Sequence, residues 1–240
     1  MWSLYDELIE GIPPEILVED AYLGTSRSYV EAGGNLGMAM VYGGGTEAID
    51  LIRRPLRDVA ALSKSWDFPL ASLGVSAINA WYNRMALLEK CRYQPEEDNT
   101  SAIINYRELL RGKKVAVVGH FYMIEQQKDV CDMVVLERNP QPGDLPDSAC
   151  EFVLPEQDYV FITGSALVNK TMPRLLQLSQ QAVTILAGPT VTMSPVLFRY
   201  GADVLAGTLV NDTEKVKEII KQGNCREQFI RETLRLRIIK

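Results

Sequence analysis

Lys113-Lys114-Val115-Ala116-Val117-Val118-Gly119-His120-Phe121 is the stretch on which the reading of this chain turns. Two lysines lead into four apolar residues, three of them β-branched. Such a run, without polar alternation, predicts a strand covered on both faces, as in a parallel sheet. Gly119 ends it, where a residue without Cβ permits a tight turn and close approach of a ligand to backbone. His120 follows and is the only histidine in the protein. Open α/β sheets bind ligands outside the carboxyl ends of their strands, so His120 stands where chemistry is expected.

Downstream of this strand, helix and strand signals alternate. Apolar runs predict strands at Asp132–Glu137, Tyr159–Thr163 and Val183–Ala187, and a shorter one over residues 204–207. Helices are predicted over residues 122–128, 172–180 and 213–221, with a short one from Pro195. Ser194 and Asp212 serve as caps. The segment to Lys240 is amphipathic. This alternation predicts a doubly wound, mostly parallel Rossmann-like sheet.

Upstream the pattern differs. A helix over residues 2–10 is stopped by Gly11, Pro13 and Pro14. Three short strands follow, over residues 16–24, around Tyr29-Val30, and over 36–41. The turns Gly24-Thr25-Ser26 and Gly33-Gly34-Asn35 separate them, which makes a β-meander. Gly43-Gly44-Gly45-Thr46 is a loop without the Lys-Ser/Thr that would complete a P-loop. Helices are expected over residues 55–63 and 69–84. The second is small and apolar on nearly every side, so its one internal amide, Asn79, must brace a loop or face a ligand. The polar, acidic run Gln94-Pro95-Glu96-Glu97-Asp98-Asn99 reads as a connection. The expected division is a small α+β unit at residues 1–99 and a Rossmann-like unit at 100–240.

Composition narrows the function classes. The chain has 240 residues, 47% of them hydrophobic and 23% charged, which is ordinary for a protein with a core. A net charge of −6 disfavours a nucleic-acid surface. No apolar run approaches the ~20 residues of a membrane span. Met1 to Glu7 lack a basic start and an apolar segment, so the expected location is cytoplasmic. Cys91, Cys131, Cys150 and Cys225 form no closely spaced pair, which predicts unrelated reduced thiols and no built-in zinc cage.

Three predicted strand ends carry similar residues: Gly119-His120-Phe121, Thr163-Gly164-Ser165 and Gly188-Pro189-Thr190. Together they would line one ligand site. A dinucleotide fingerprint is missing, because Phe121 occupies the place of the second glycine; a standard NAD or FAD site is not expected. Glu137 stands roughly 20 residues beyond Gly119, where a carboxylate would meet a ribose. It is equally readable as a solvated strand end. His120 is a candidate acid/base or metal ligand, and one histidine needs further ligands to hold a metal. No G-x-S-x-G elbow surrounds Ser165. Lys64, Lys170 and Arg27 are available as anion partners.

With these residues in place, the chain resembles a bacterial and archaeal family described as heavy-metal chelation proteins, for which no function is established. The resemblance rests on residues 5–13, Gly24-Thr25-Ser26, Lys64-Ser65-Trp66, residues 71–80, residues 115–121, residues 154–160, Asn169-Lys170-Thr171-Met172-Pro173, Gly188-Pro189-Thr190 and Ser194-Pro195-Val196. It implies an enolase N-terminal-like domain joined to a Rossmann-like domain, with a site between them. On that basis Thr25, Ser26, Lys64 and Asn79 of the first unit would join Gly119, His120, Phe121, Glu137, Thr163, Gly164, Ser165, Gly188, Pro189 and Thr190 of the second. The expected ligand is a small polar or anionic molecule, or a metal chelate, with a divalent metal as the one cofactor to consider. A non-catalytic metallophore binder and an enzyme using a nucleotide-like ligand such as S-adenosylmethionine are the alternatives. A homo-oligomer is left open as a partner state.

Overall fold

The computed structural model describes residues 2–43, 50–91, 93–96, 102–121, 124–223 and 230–240. Gly44, Gly45, Thr46 and Cys225 therefore lie outside the described residues, as do 122–123 at the start of an expected helix.

The amino-terminal part opens with helix α1 (Ser3–Glu10) and an antiparallel meander of β1 (Val18–Leu23), β2 (Arg27–Ala32) and β3 (Asn35–Met40). Helices α2 (Leu56–Ala60), α3 (Phe68–Tyr82) and α4 (Met85–Leu88) follow. Helix α3 starts where Asp67 accepts a hydrogen bond from the Leu70 amide at 3.0 Å and Pro69 occupies the first turn. It is apolar nearly all round because it is covered all round. Gly37 lets β3 approach α3: a Cβ there would lie 2.0 Å from the Ala80 nitrogen. Gly74 does the same for the turn at residues 61–64, with a Cβ 1.9 Å from the Ser63 nitrogen. Ser28 of β2 meets Ser72 and Ser76 of α3 at 2.5 and 2.8 Å, so the buried hydroxyls satisfy one another.

The rest of the chain builds an eight-stranded sheet among the described residues. Its strands are β4 (Gln94–Pro95), β5 (Lys114–Val118), β6 (Asp132–Glu137), β7 (Leu145–Pro146), β8 (Tyr159–Thr163), β9 (Val183–Ala187), β10 (Val204–Val210) and β11 (Thr233–Ile239). The spatial order is β4-β11-β10-β9-β8-β5-β6-β7. The six strands from β10 to β7 are parallel; β11 runs antiparallel to β10 and β4 antiparallel to β11. The connecting helices are α5 (Ala102–Asn105), α6 (Cys150–Val153), α7 (Met172–Leu178), α8 (Val196–Arg199) and α9 (Thr213–Lys221).

Period-two alternation puts Val115, Val117, Phe161 and Ile185 on one face, against Ile103, Tyr106 and Leu110. Ala116, Val118, Val160, Ile162 and Leu186 face the other way, into a core continuous with α1 and α3. Both faces being covered explains the unbroken apolar runs. Helix α9 packs Val216, Ile219 and Ile220 on Tyr29, Leu36 and Met38, so the meander is held between α3 and α9. Lys217 of α9 pairs there with Asp20, Glu31 and Glu214.

The expected small α+β unit followed by a mostly parallel sheet is the observed architecture. Three details differ from the sequence expectation. The strand at 204–207 extends to Val210 because β11 pairs along its whole length. The amphipathic carboxyl-terminal segment supplies that strand. Gln94-Pro95, read as connection, already pairs with Arg237 and Leu236 at the sheet edge. No described helix is long and apolar enough to cross a membrane.

Candidate functional site

The strand order places the chain's reversal in the middle of the sheet. From β5 the chain winds outward through β6 and β7, then returns to the other side of β5 and winds outward through β8, β9 and β10. The switch point therefore lies between the carboxyl ends of β5 and β8, where ligands of such sheets bind. Gly119-His120-Phe121 leaves one of these strands and Gly164-Ser165 the other.

Gly119 has φ of +102° and Gly188 has φ of +107°, left-handed values that favour glycine. A Cβ on Gly119 would stand 3.0 Å from Thr163, and one on Gly188 would stand 3.7 Å from the Phe121 ring. The same ring is 3.9 Å from the Cβ position of Gly119. Phe121 thus spans the ends of β5 and β9. Gly164 is pressed against Thr190 and Val191, with a Cβ position 2.3 Å from the Val191 nitrogen. The Thr163 and Ser165 hydroxyls are 3.0 Å apart.

Glu137, at the end of β6, accepts the backbone N–H of His120 at 2.9 Å and that of Arg138 at 2.7 Å. It holds the histidine loop to the neighbouring strand. His120 Nδ1 lies 3.3 Å from Asp144 Oδ2, which also accepts the Gln141 amide at 3.0 Å. The Asp144 side chain is 2% exposed and that of His120 27% exposed. The other ring nitrogen, Nε2, has no hydrogen-bond partner among the described residues.

The meander meets this edge. The Met40 amide donates to Thr190 Oγ1 at 3.0 Å, and its carbonyl accepts from Ser72 at 2.8 Å. Ser165 Oγ is 3.8 Å from the Met40 sulfur. Burial pushes the Tyr42 phenol up; a hydrogen bond to Ser165 draws it down, Glu137 pushes it up and Arg138 draws it down. Tyr42 therefore stands within the field of both strand ends.

Other expected residues have different settings. Asn79 is fully buried and donates to Met38 O at 2.9 Å and Thr190 O at 3.1 Å, while accepting from Thr192 at 2.5 Å. It braces the loop after β9. The Ser26 carbonyl accepts from Val41 at 3.0 Å, so the Thr25-Ser26 turn lies beside the exit of β3. Lys64 is ion-paired with Asp6. Pro189 is half-buried between Gly188 and Thr190.

Three residues stand near the strand ends that sequence reasoning did not select for the site, Met40, Tyr42 and Asp144, and Lys170, expected only as a possible anion partner, has an unexpected setting. Lys170 has φ of +68° and is 7% exposed. Its Nζ donates to Val168 O at 2.7 Å and lies 5.2 Å from the centre of the Phe68 ring, which packs in turn on Tyr42. Burial lowers its pKa from 10.5 to about 8, with Asp67 opposing the shift. Nothing in the spacing of Asn169-Lys170-Thr171 separates this buried ammonium from a surface lysine.

Among the described residues, no three or more His, Cys, Asp or Glu side chains converge in a way that could hold a metal ion. Cys91, Cys131 and Cys150 are free thiols, Cys150 buried. The side chains around His120 thus do not fit a protein-built metal cage.

Two family profiles match the sequence. Residues 102–238 match DUF364 and residues 5–82 match DUF4213, both described as "Putative heavy-metal chelation". An uncharacterised protein of Methanocaldococcus jannaschii is 31% identical over 199 residues, 78% of this chain and 74% of that protein. The crystal structure of a DUF364 protein of unknown function from Desulfitobacterium hafniense superposes with a TM-score of 0.93 at 36% identity, covering 100% of this chain and 99% of that one. A second, from Pyrococcus horikoshii, has a TM-score of 0.83 at 20% identity, covering 99% and 98%, and shares the fold. The chain belongs to this DUF364 family, whose description is "Putative heavy-metal chelation".

Proposed function

We propose that the chain binds a small polar or anionic molecule connected with metal handling, in a crevice between the carboxyl edge of the large sheet and the Met40–Tyr42 segment of the meander. The observation that carries this reading is the switch point between β5 and β8. Glycine backbone and the Thr163–Ser165 hydroxyl pair meet there beside residues of the other unit, and the single histidine follows the glycine that ends β5. Hydroxyls suit carboxylate, hydroxamate or phosphate groups. The Lys170 ammonium, which has no carboxylate in hydrogen-bond contact among the described residues, packs on Phe68 behind Tyr42 and, with Arg138, supplies positive charge on that side. In this reading His120 orients the ligand or takes a proton from it.

The test is a thermal-shift series with the intact chain. Its arms are citrate, nitrilotriacetate, their Zn(II) and Ni(II) complexes, inorganic phosphate, ATP and S-adenosylmethionine. A ligand at 100 times its Kd stabilises by about 2.7 kcal/mol. Stabilisation by chelators or chelates is expected, and Thr163→Val and Ser165→Ala are expected to reduce it at least tenfold in affinity. Unchanged binding in both variants would sink the assignment. A response confined to ATP or S-adenosylmethionine would replace it with the nucleotide reading, with Glu137 on the ribose.

A further inference from the structure

We infer that the metal reaches this protein already chelated, and that His120 Nε2 supplies one protein ligand to an open coordination position on the chelate. The inference rests on the proposed crevice and names the class of its ligand: a complex of a borderline divalent metal, such as Zn(II) or Ni(II), with an anionic organic chelator.

Three observations lead there. First, the family description concerns heavy metals, yet the described residues offer no set of three ligating side chains. A site with one imidazole binds bare metal poorly. A metal that brings most of its own donors needs only one more. Second, the histidine carries the outer partner that metal-bound imidazoles use. Nδ1 faces the buried Asp144 carboxylate, itself anchored by the Gln141 amide. Such a carboxylate fixes the Nδ1–H tautomer and leaves Nε2 as the basic nitrogen. Third, Nε2 has no partner among the described residues, although the ring's other edge and its backbone are both tied down. The rotamer and the loop are thus held while the ligating atom has no partner among the described residues. Imidazole suits Zn(II) and Ni(II) better than Mg(II) or Ca(II). Asp144 acts through His120 and is a positioning residue.

The single histidine makes the test direct, because imidazole nitrogen NMR of the 15N-labelled full chain contains one spin system. In the free protein, the Nδ1–H tautomer is expected, with the proton held towards Asp144. Zn(II)–nitrilotriacetate should shift the Nε2 resonance selectively. Asp144→Asn should mix the tautomers and weaken the complex about 10–100-fold, the usual cost of losing such a partner. His120→Ala should abolish the high-affinity phase.

Four results would overturn the inference: an Nε2–H tautomer in the free protein; metal-free nitrilotriacetate binding as tightly as its Zn(II) complex; buffered free Zn(II) binding His120 as tightly as the chelate; or no perturbation of Nε2 by the Zn(II) complexes of nitrilotriacetate and iminodiacetate. In the second and fourth cases the crevice is judged separately, because its own test reads Thr163→Val and Ser165→Ala and does not depend on the imidazole.

Discussion

Lys170 shows how far one residue's setting can depart from its chemical type. Lysine is mostly a solvated charge. Here the ammonium is buried, bonded to one carbonyl and set against Phe68, so its charged form is costly. The unfolded chain keeps this proton up to about its normal pKa, whereas the folded chain loses it near 8. Between those values the unfolded state binds more protons, so this group makes stability rise with pH. Below pH 8 the penalty is present in full. Lys170→Met should therefore stabilise most at pH 7, and its advantage should shrink towards pH 10. Urea unfolding at each pH checks this; parallel curves for the two proteins would show that Lys170 does not titrate in this range. If Lys170 meets an anionic ligand, affinity should also fall as pH rises beyond 8.

Strands β6, β8 and β9 have the bounds that their apolar runs predict, since a strand covered on both faces is defined by its own composition. Edge strands are different. Thr233–Ile239 becomes a strand through pairing with β10, and Gln94–Pro95 through pairing with β11. Neither pairing is encoded locally. The contact between β3 and α3 depends on Gly37, whose added Cβ would sit 2.0 Å from the Ala80 nitrogen and 2.2 Å from the Ser76 carbonyl oxygen. Both are backbone atoms that cannot rotate away. Gly37→Ala should cost about 1–3 kcal/mol or more, as overpacking does. The readout is a lower urea midpoint with an unchanged m value. A midpoint equal to wild type would mean that β3 and α3 separate freely.

The two sheets are coupled by buried amides on one side of α3. Asn83 donates to Val191 O at 2.8 Å and to Thr208 O at 3.4 Å, and accepts from the Met193 amide at 2.8 Å. Asn79 makes the neighbouring clamp on Thr190 and Thr192. Asn83→Leu would leave buried backbone groups unpaired, at about 1–3 kcal/mol for each group. All three tryptophans, Trp2, Trp66 and Trp81, belong to the amino-terminal part. Their fluorescence reports that part, while far-ultraviolet circular dichroism reports both. The two transitions should coincide in the native chain and separate in Asn83→Leu, the standard sign of lost two-state behaviour. Coincident transitions in the variant would show that the clamp does not couple the units.

Local pattern was enough to read the parallel core, the meander, the cap at Asp212, and the glycine-bearing strand ends. Each is set by neighbouring residues: β-branched runs, side-chain oxygens beside free amides, and glycine where φ is positive. The same local logic placed His120 and Glu137 at strand ends without saying that Glu137 holds the His120 backbone. Asp144, Met40 and Tyr42 were not legible as site neighbours, and Lys170, legible as an anion partner, was not legible as buried, because these settings come from chain segments far away in sequence. Asp144 lies in a Pro/Gly loop whose path brings it to the imidazole. Met40 and Tyr42 reach Ser165 and Thr190 only because α3 packs the meander onto the sheet. Burial and proximity are properties of packing, so the partners of the histidine and the charge balance of Lys170 emerge once the two sheets are brought together.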